Sequence, residues 1–174
     1  DPTRVPGVSF SEDPMPNIRQ LKTWTTSGLM LSPGYGGGTA NIEYQALTGL
    51  SMANYNSALS VAYQQLVPSL KWTPSLNQAW NAANGEDASV ALHAYNRNMY
   101  FRDINYKKFA FSKFYATDGV PQLKDLQQID SACYASDESF YKNILDQVSS
   151  SDKNKFYQAV TMQNHLPYAD FYAD

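Results

Sequence analysis

The chain predicts an α/β fold on three observations. A strand-like run at residues 25–32 passes through a glycine-rich loop into a helix-like stretch at 42–50. Two further strand-like runs, 88–92 and 156–162, deliver the chain's two histidines, His93 and His165, just beyond their ends. Segments of helical composition lie between them. In an open α/β sheet the carboxyl ends of strands are where sites assemble, so both histidines are candidate site residues.

Taken in order, residues 5–17 are rich in Pro, Ser and Gly and read as irregular, and 18–24 as a short helix. The loop Pro33-Gly34-Tyr35-Gly36-Gly37-Gly38-Thr39-Ala40-Asn41 follows the first strand. Thr39 is placed to cap the helix and Gly49 to stop it. Glu43, one turn after Thr39, reads as support for the helix dipole. Pro68 and Pro74 bracket a break, after which 75–83 is helical and Asn84-Gly85 closes it. Ser136-Asp137-Glu138 opens a later helix whose Phe140, Tyr141, Ile144, Leu145 and Val148 recur at helical spacing and read as core packing.

Composition narrows the function. With 174 residues, 43% hydrophobic and 17% charged, the chain has the makings of one sizeable core. A net charge of -3, with lysines and arginines scattered, excludes an electrostatic case for nucleic acid. The single cysteine, Cys133, excludes an internal disulfide and a cysteine metal cluster, and reads as a small core residue. No stretch approaches the ~20 apolar residues of a membrane span. The chain opens at Asp1-Pro2-Thr3 without methionine and stops at Asp174, and it reads as part of something longer.

The glycine loop alone fits phosphate binding, a tight turn or a capped helix equally well. It is not a Walker loop, because no lysine follows the glycines at the required place, and it lacks the dinucleotide spacing. Two strand-end histidines, a hydroxyl at a helix start and an arginine near the first histidine suit a transferred phosphoryl group. A threonine oxygen needs activation before it attacks, and a divalent ion on that oxygen is the economical route. The bland alternative is a capping threonine and two structural histidines.

Three segments carry a resemblance. They are residues 29–49, containing the Gly loop and Thr39; His93-Ala94-Tyr95-Asn96-Arg97-Asn98-Met99-Tyr100-Phe101-Arg102-Asp103; and Val160-Thr161-Met162-Gln163-Asn164-His165-Leu166-Pro167-Tyr168. In this order they resemble the lipoteichoic acid synthase family of phosphoglycerol transferases, within the alkaline phosphatase and sulfatase superfamily. The resemblance implies a three-layer sheet flanked by helices, with residues 1–174 forming one partial catalytic domain. It implies Thr39 as nucleophile and ligand of Mn2+ or Mg2+, attacking phosphatidylglycerol, releasing diacylglycerol and passing glycerophosphate to a glycerol or glycan acceptor. His93 and Arg102 match residues that contact the phosphoglycerol group, Tyr100 stands where many members have tryptophan, and His165 matches the histidine that assists at the phosphate. Asn96 and Arg97 are secondary candidates beside His93.

The family's other metal ligands, a glutamate in a Glu-Ser-Phe-like motif and a downstream Asp-His pair, have no counterpart between Asp1 and Asp174. Only Thr39 of the metal set is present, so the chain alone is expected to hold the ion poorly and to show little or no catalysis. Glu12, Asp13, Asp170 and Asp174 are the nearest substitutes by position and read as solvated loop charges. The resemblance further implies a membrane-anchored parent acting on the extracytoplasmic face of a Gram-positive cell. A missing early strand implies an exposed sheet edge that invites dimerisation. The alternatives are a phosphodiesterase or sulfatase-like hydrolase with water as acceptor, and a noncatalytic fragment that binds an anion.

Overall fold

The computed structural model describes residues 2–29, 31–34 and 38–167, in two compact units, Asp1–Ser32 and Pro33–Asp174. Tyr35, Gly36 and Gly37 of the loop, Tyr168, and the candidate acids Asp170 and Asp174 lie outside the described residues.

In the first unit, helix α1 spans Pro16–Leu21, with proline at its start where a missing N–H costs nothing. It begins and ends earlier than the predicted 18–24. Asp13 accepts Arg19 Nε on both carboxylate oxygens, at 3.0 and 2.8 Å, and the Met15 N–H at 2.9 Å. The Met15 N–H first, and then Arg19, hold its carboxyl below the usual range. The strand predicted at 25–32 is absent among the described residues there. The Thr25 hydroxyl instead donates to Leu21 O at 2.7 Å, and Leu31 is 94% exposed. Strand propensity reports a fit to a pleated, half-buried surface, and this run pairs with no strand among the described residues.

In the second unit, three parallel strands lie in the order β2-β1-β3. Central β1, Ser89–His93, is buried at all five positions, as a strand covered on both faces must be. It pairs with β3, Phe156–Val160, from Ser89 opposite Phe156 to His93 opposite Val160. Its other neighbour, β2, Lys113–Tyr115, has no counterpart in the sequence prediction; three residues mixed with lysine carry too little pattern.

Alternation along β1 sends its side chains to two cores. Ala91 joins one with Tyr44 and Leu47 of α2 (Thr39–Thr48), Tyr63 of α3 (Ala62–Gln65) and Tyr106 of α5 (Arg102–Lys108). Val90 and Leu92 join the other with Leu123, Met162 and Phe140 of α6 (Asp137–Ser149). Helices therefore cover both faces, giving the three layers implied by the resemblance. Between them, α4 (Leu76–Asn84) anchors through buried Asn77, whose Nδ2 donates to Phe109 O at 2.6 Å.

Two core assignments need correction. On α6, Phe140 is buried and Ile144 packs beside it, but Tyr141, Leu145 and Val148 face outward, with Leu145 61% exposed. The apolar band is wider than the sheet covers. Cys133 is exposed rather than a core residue.

Candidate active site

Helix α2 sets the position of Thr39. Gly38 adopts φ 81°, a left-handed conformation that an L side chain disfavours, and its carbonyl takes the first helical bonds, from Asn41 N–H at 2.9 Å and Ile42 N–H at 3.1 Å. Gly38 is the cap, and Thr39 is the first helical residue, a correction to its predicted capping role. Its hydroxyl is therefore not consumed in capping. Thr39 is exposed, at the positive end of the helix. Asn41 pins that end of the helix, its Nδ2 donating to Ser60 O at 2.7 Å and its Oδ1 accepting Ala62 N–H at 2.9 Å. Gly49, at φ 70°, ends the helix as predicted.

Glu43 is the main surprise. It does not serve the helix dipole at the surface; it is buried on the inward stripe Ala40, Glu43, Tyr44, Leu47. Its Oε2 accepts Arg102 Nε at 3.2 Å and the Tyr106 hydroxyl at 3.0 Å, and its Oε1 accepts Arg102 Nη2 in a shorter bond. The signal was available: a carboxylate at apolar i, i+3, i+4 spacing must find a buried partner.

Arg102 is 1% exposed. Besides Glu43, its Nη1 donates to Met99 O at 3.1 Å and meets His93 Nε2 at 3.3 Å. Of five guanidinium hydrogens, four are assigned, and one on Nη2 remains for a ligand. Burial works against its charge, but the Glu43 carboxylate more than compensates and holds its pKa above the ordinary arginine value.

His93, matched by the resemblance to a residue that contacts the phosphoglycerol group, is fully buried and meets Arg102. Its Nδ1 lies 3.2 Å from Val160 O, which only accepts, so Nδ1 carries the hydrogen and Nε2 receives Arg102. Burial, and then the Arg102 charge, lower its pKa to about 3, so the ring is neutral.

Tyr100 and Phe101 both adopt left-handed backbone, φ 55° and 57°, at the turn into α5. Buried Asn105 holds this strained turn, its Nδ2 donating to Tyr100 O at 3.0 Å and Tyr63 O at 2.8 Å. The turn brings the Tyr100 ring to 5.5 Å from the Arg102 guanidinium carbon, within cation–π range. Beyond β3, His165 Nδ1 donates to Leu166 O at 2.8 Å, and Nε2 is the ring nitrogen this bond leaves open. The Tyr134 hydroxyl donates to the same carbonyl at 2.8 Å, and its ring stands edge-on to His165 at 5.7 Å.

Thr39, Tyr100, Arg102 and His165 line one cleft of about 610 Å3 at the carboxyl end of the sheet, with His93 behind Arg102. Arg97 stands apart, its guanidinium donating to Asp118 O and Pro121 O over the Phe114 ring. Among the described residues no three acids, histidines or cysteines gather as a metal site. Glu43 is spent on Arg102 and Tyr106, and no carboxylate lines the cleft among the described residues, where the side-chain oxygens are the neutral ones of Thr39, Tyr100, Thr161 and Asn164. The described residues alone do not fit a divalent ion.

A parallel sheet between two helical layers, with a threonine, an arginine and a histidine lining one cleft beyond its strand ends, defines an α/β domain with a polar cleft at the carboxyl edge of its sheet. The chain belongs to the sulfatase family, whose sequence pattern matches residues 1–174. It is 38% identical over 169 residues to the "Putative cyclic beta-1,2-glucan modification protein" of Rhizobium meliloti (strain 1021), covering 97% of this chain and 24% of that one. Its structure is similar to that of Streptococcus pyogenes phosphoglycerol transferase GacH in complex with sn-glycerol-1-phosphate, at 35% identity and TM-score 0.82, covering 98% of this chain and 43% of GacH. The lipoteichoic acid synthase LtaP from Listeria monocytogenes shares the fold, at 20% identity and TM-score 0.60, over 78% of this chain and 31% of that one. The chain thus spans about a quarter of the curated relative and under half of GacH.

Proposed function

We propose that this chain is part of a phosphoglycerol transferase in which Thr39 is the nucleophile. The observation that carries the reading is the exposed Thr39 hydroxyl sharing a cleft with Arg102 and His165, in a chain 35% identical to a phosphoglycerol transferase solved with sn-glycerol-1-phosphate. Thr39 Oγ forms a bond to the phosphorus of phosphatidylglycerol, and the bond from phosphorus to the diacylglycerol oxygen breaks. Arg102 offers its charge and its remaining Nη2 hydrogen to a phosphoryl oxygen, and Tyr100 walls the glycerol side. His165 Nε2 takes the Thr39 hydroxyl proton as Oγ attacks and passes it to the departing diacylglycerol oxygen; in the second half it takes the proton of the acceptor hydroxyl and returns it to Thr39 Oγ. That hydroxyl displaces threonine from phosphorus, which restores Thr39. The acceptor is a glycerol or a glycan.

Superfamily members are generally metal-dependent, and Mn2+ or Mg2+ is the expected ion. The described lining of the cleft holds no carboxylate to complete a shell with Thr39, so no step above is routed through a metal.

A lipid substrate fits the membrane-anchored parent and the extracytoplasmic face that the resemblance implies. Among the described residues no helix is long and apolar enough to cross a membrane. Relatives in both Rhizobium meliloti and Streptococcus pyogenes mean that the reading is not tied to Gram-positive cells.

The test is manganese-dependent release of diacylglycerol from fluorescent phosphatidylglycerol, by this chain and by one extended at both ends. We expect release from the extended protein and a loss of about 1,000-fold or more in Thr39→Ala, typical of removing a nucleophile. Undiminished release by Thr39→Ala would sink the assignment. Release of free glycerol phosphate with no transfer product would make the protein a hydrolase.

A further inference from the structure

A second cavity, about 440 Å3, opens beside the first beyond the end of β1. Its polar walls are Tyr95, Asn96, Gln122, Gln127, Gln128 and Tyr134, over an apolar floor of Leu123 and Leu126. No acidic or basic side chain lines it. Arg97, next to Asn96 in sequence, is committed to Asp118 O and Pro121 O, and Lys124, next to Leu123, does not line the cavity. We infer that this cavity is a binding site for an uncharged sugar and serves as the acceptor subsite of the Thr39 cleft, its acceptor role resting on the transferase reading above.

The absence of charge argues first. A glycerophosphate chain carries a negative charge on every unit, and its recognition calls for Arg, Lys or a helix N-terminus at the wall. A sugar asks instead for groups that match hydroxyls, which donate and accept at once. The amides here are left half-used. Gln122 Nε2 donates to Thr117 O and Gln128 Nε2 to Cys133 O at 3.2 Å, which leaves both Oε1 atoms as acceptors. Asn96 Oδ1 takes the Thr117 hydroxyl at 3.3 Å, which leaves Nδ2 as a donor. The Gln127 amide has no intramolecular partner among the described residues, while its backbone is fixed by the Ser139 hydroxyl and the Ser136 N–H. The backbone is fixed, and the amide groups remain available to a ligand's hydroxyls.

Aromatic rings complete it. Tyr95 and Tyr134 stand edge-to-face at 5.6 Å, a rigid apolar surface of the kind on which the C–H face of a pyranose rests. Tyr134 also joins the two cavities. Its ring contacts His165 and its hydroxyl holds Leu166 O, and both of those residues line the Thr39 cleft. A sugar seated against Tyr134 therefore lies one side chain from the histidine assigned to deprotonate the acceptor.

The test uses the extended protein carrying Thr39→Ala, so that nothing turns over during titration. Neutral trisaccharides of glucose, N-acetylglucosamine and galactose are titrated by calorimetry, with sn-glycerol-1-phosphate and a glycerophosphate trimer as charged comparisons. We expect at least one trisaccharide to bind, with affinity falling about fivefold or more in Gln127→Ala and in Asn96→Ala, while sn-glycerol-1-phosphate changes less than about twofold. Both side chains are exposed, and unchanged melting temperatures confirm that the fold is kept. Failure of all three sugars to bind, indifference to both substitutions, or weakened binding of the glycerophosphate trimer instead would overturn the site. Sugar binding in a protein that releases no diacylglycerol would keep the sugar site and remove the transferase.

Discussion

Arg102 is buried, charged and aimed into a cleft, and its three protein partners hold it there. Glu43 neutralises it, Met99 O takes one hydrogen, and a neutral His93 takes another without adding a second positive charge. Replacing Glu43 with Gln would leave the guanidinium buried without its counter-charge. Removing one partner of such a pair costs about 3–5 kcal/mol, so Glu43→Gln should unfold at much lower urea concentration. A loss under about 1 kcal/mol would show that the pair contributes little.

His93 makes the same network sensitive to acid. Its pKa falls from 6.5 to about 3 on folding, so between those values the unfolded chain binds a proton that the native one refuses. Stability is therefore complete above pH 6.5 and declines as pH falls towards 3, by up to about 1.4 kcal/mol per pH unit from this group. Measured between pH 6.5 and 5, above most carboxylate titration, the slope should flatten in His93→Gln. An equal slope in both proteins would assign the acid sensitivity elsewhere.

At the scale of elements, the site is two helix starts and one strand exit. Helix α2 opens on Gly38, which frees the Thr39 hydroxyl from capping, and α5 opens on the left-handed pair Tyr100 and Phe101. Two consecutive left-handed non-glycine residues cost about 1–2 kcal/mol each, and Asn105 offsets part of that by bridging Tyr100 O and Tyr63 O. Asn105→Ala should destabilise the fold by about 1–3 kcal/mol, the range for orphaned buried carbonyls, and should lower diacylglycerol release by loosening Tyr100 over Arg102. Full release with lowered stability would separate the turn from the reaction.

At the scale of the molecule, β2 and β3 each pair with β1 alone among the described residues. Unpaired strand edges template further pairing, so the chain by itself should form dimers with rising concentration. Light scattering checks this; a constant mass near 19.5 kDa across concentrations would show the edges to be inert.

The sequence by itself determined the elements that carry strong local signals. The buried run that becomes β1, the Ser136 cap of α6, the Gly49 stop of α2 and the helix around 75–83 all follow from pattern and turn chemistry within a few residues of one another. The motif segments likewise single out Thr39, Tyr100, Arg102 and His165 without reference to packing. Tertiary structure decided the rest. The run at 25–32 has strand composition but no partner strand among the described residues, and a ladder cannot form alone. The outer face of α6 is apolar yet uncovered, because burial depends on what lies opposite rather than on the helix itself. Glu43 and His93 acquired their parts as supports of Arg102 only when α2, β1 and α5, separated by up to 59 positions, were brought together in a dry interior. There an unpaired charge is too costly to leave, and the partners it finds decide which of its hydrogens remain for a ligand.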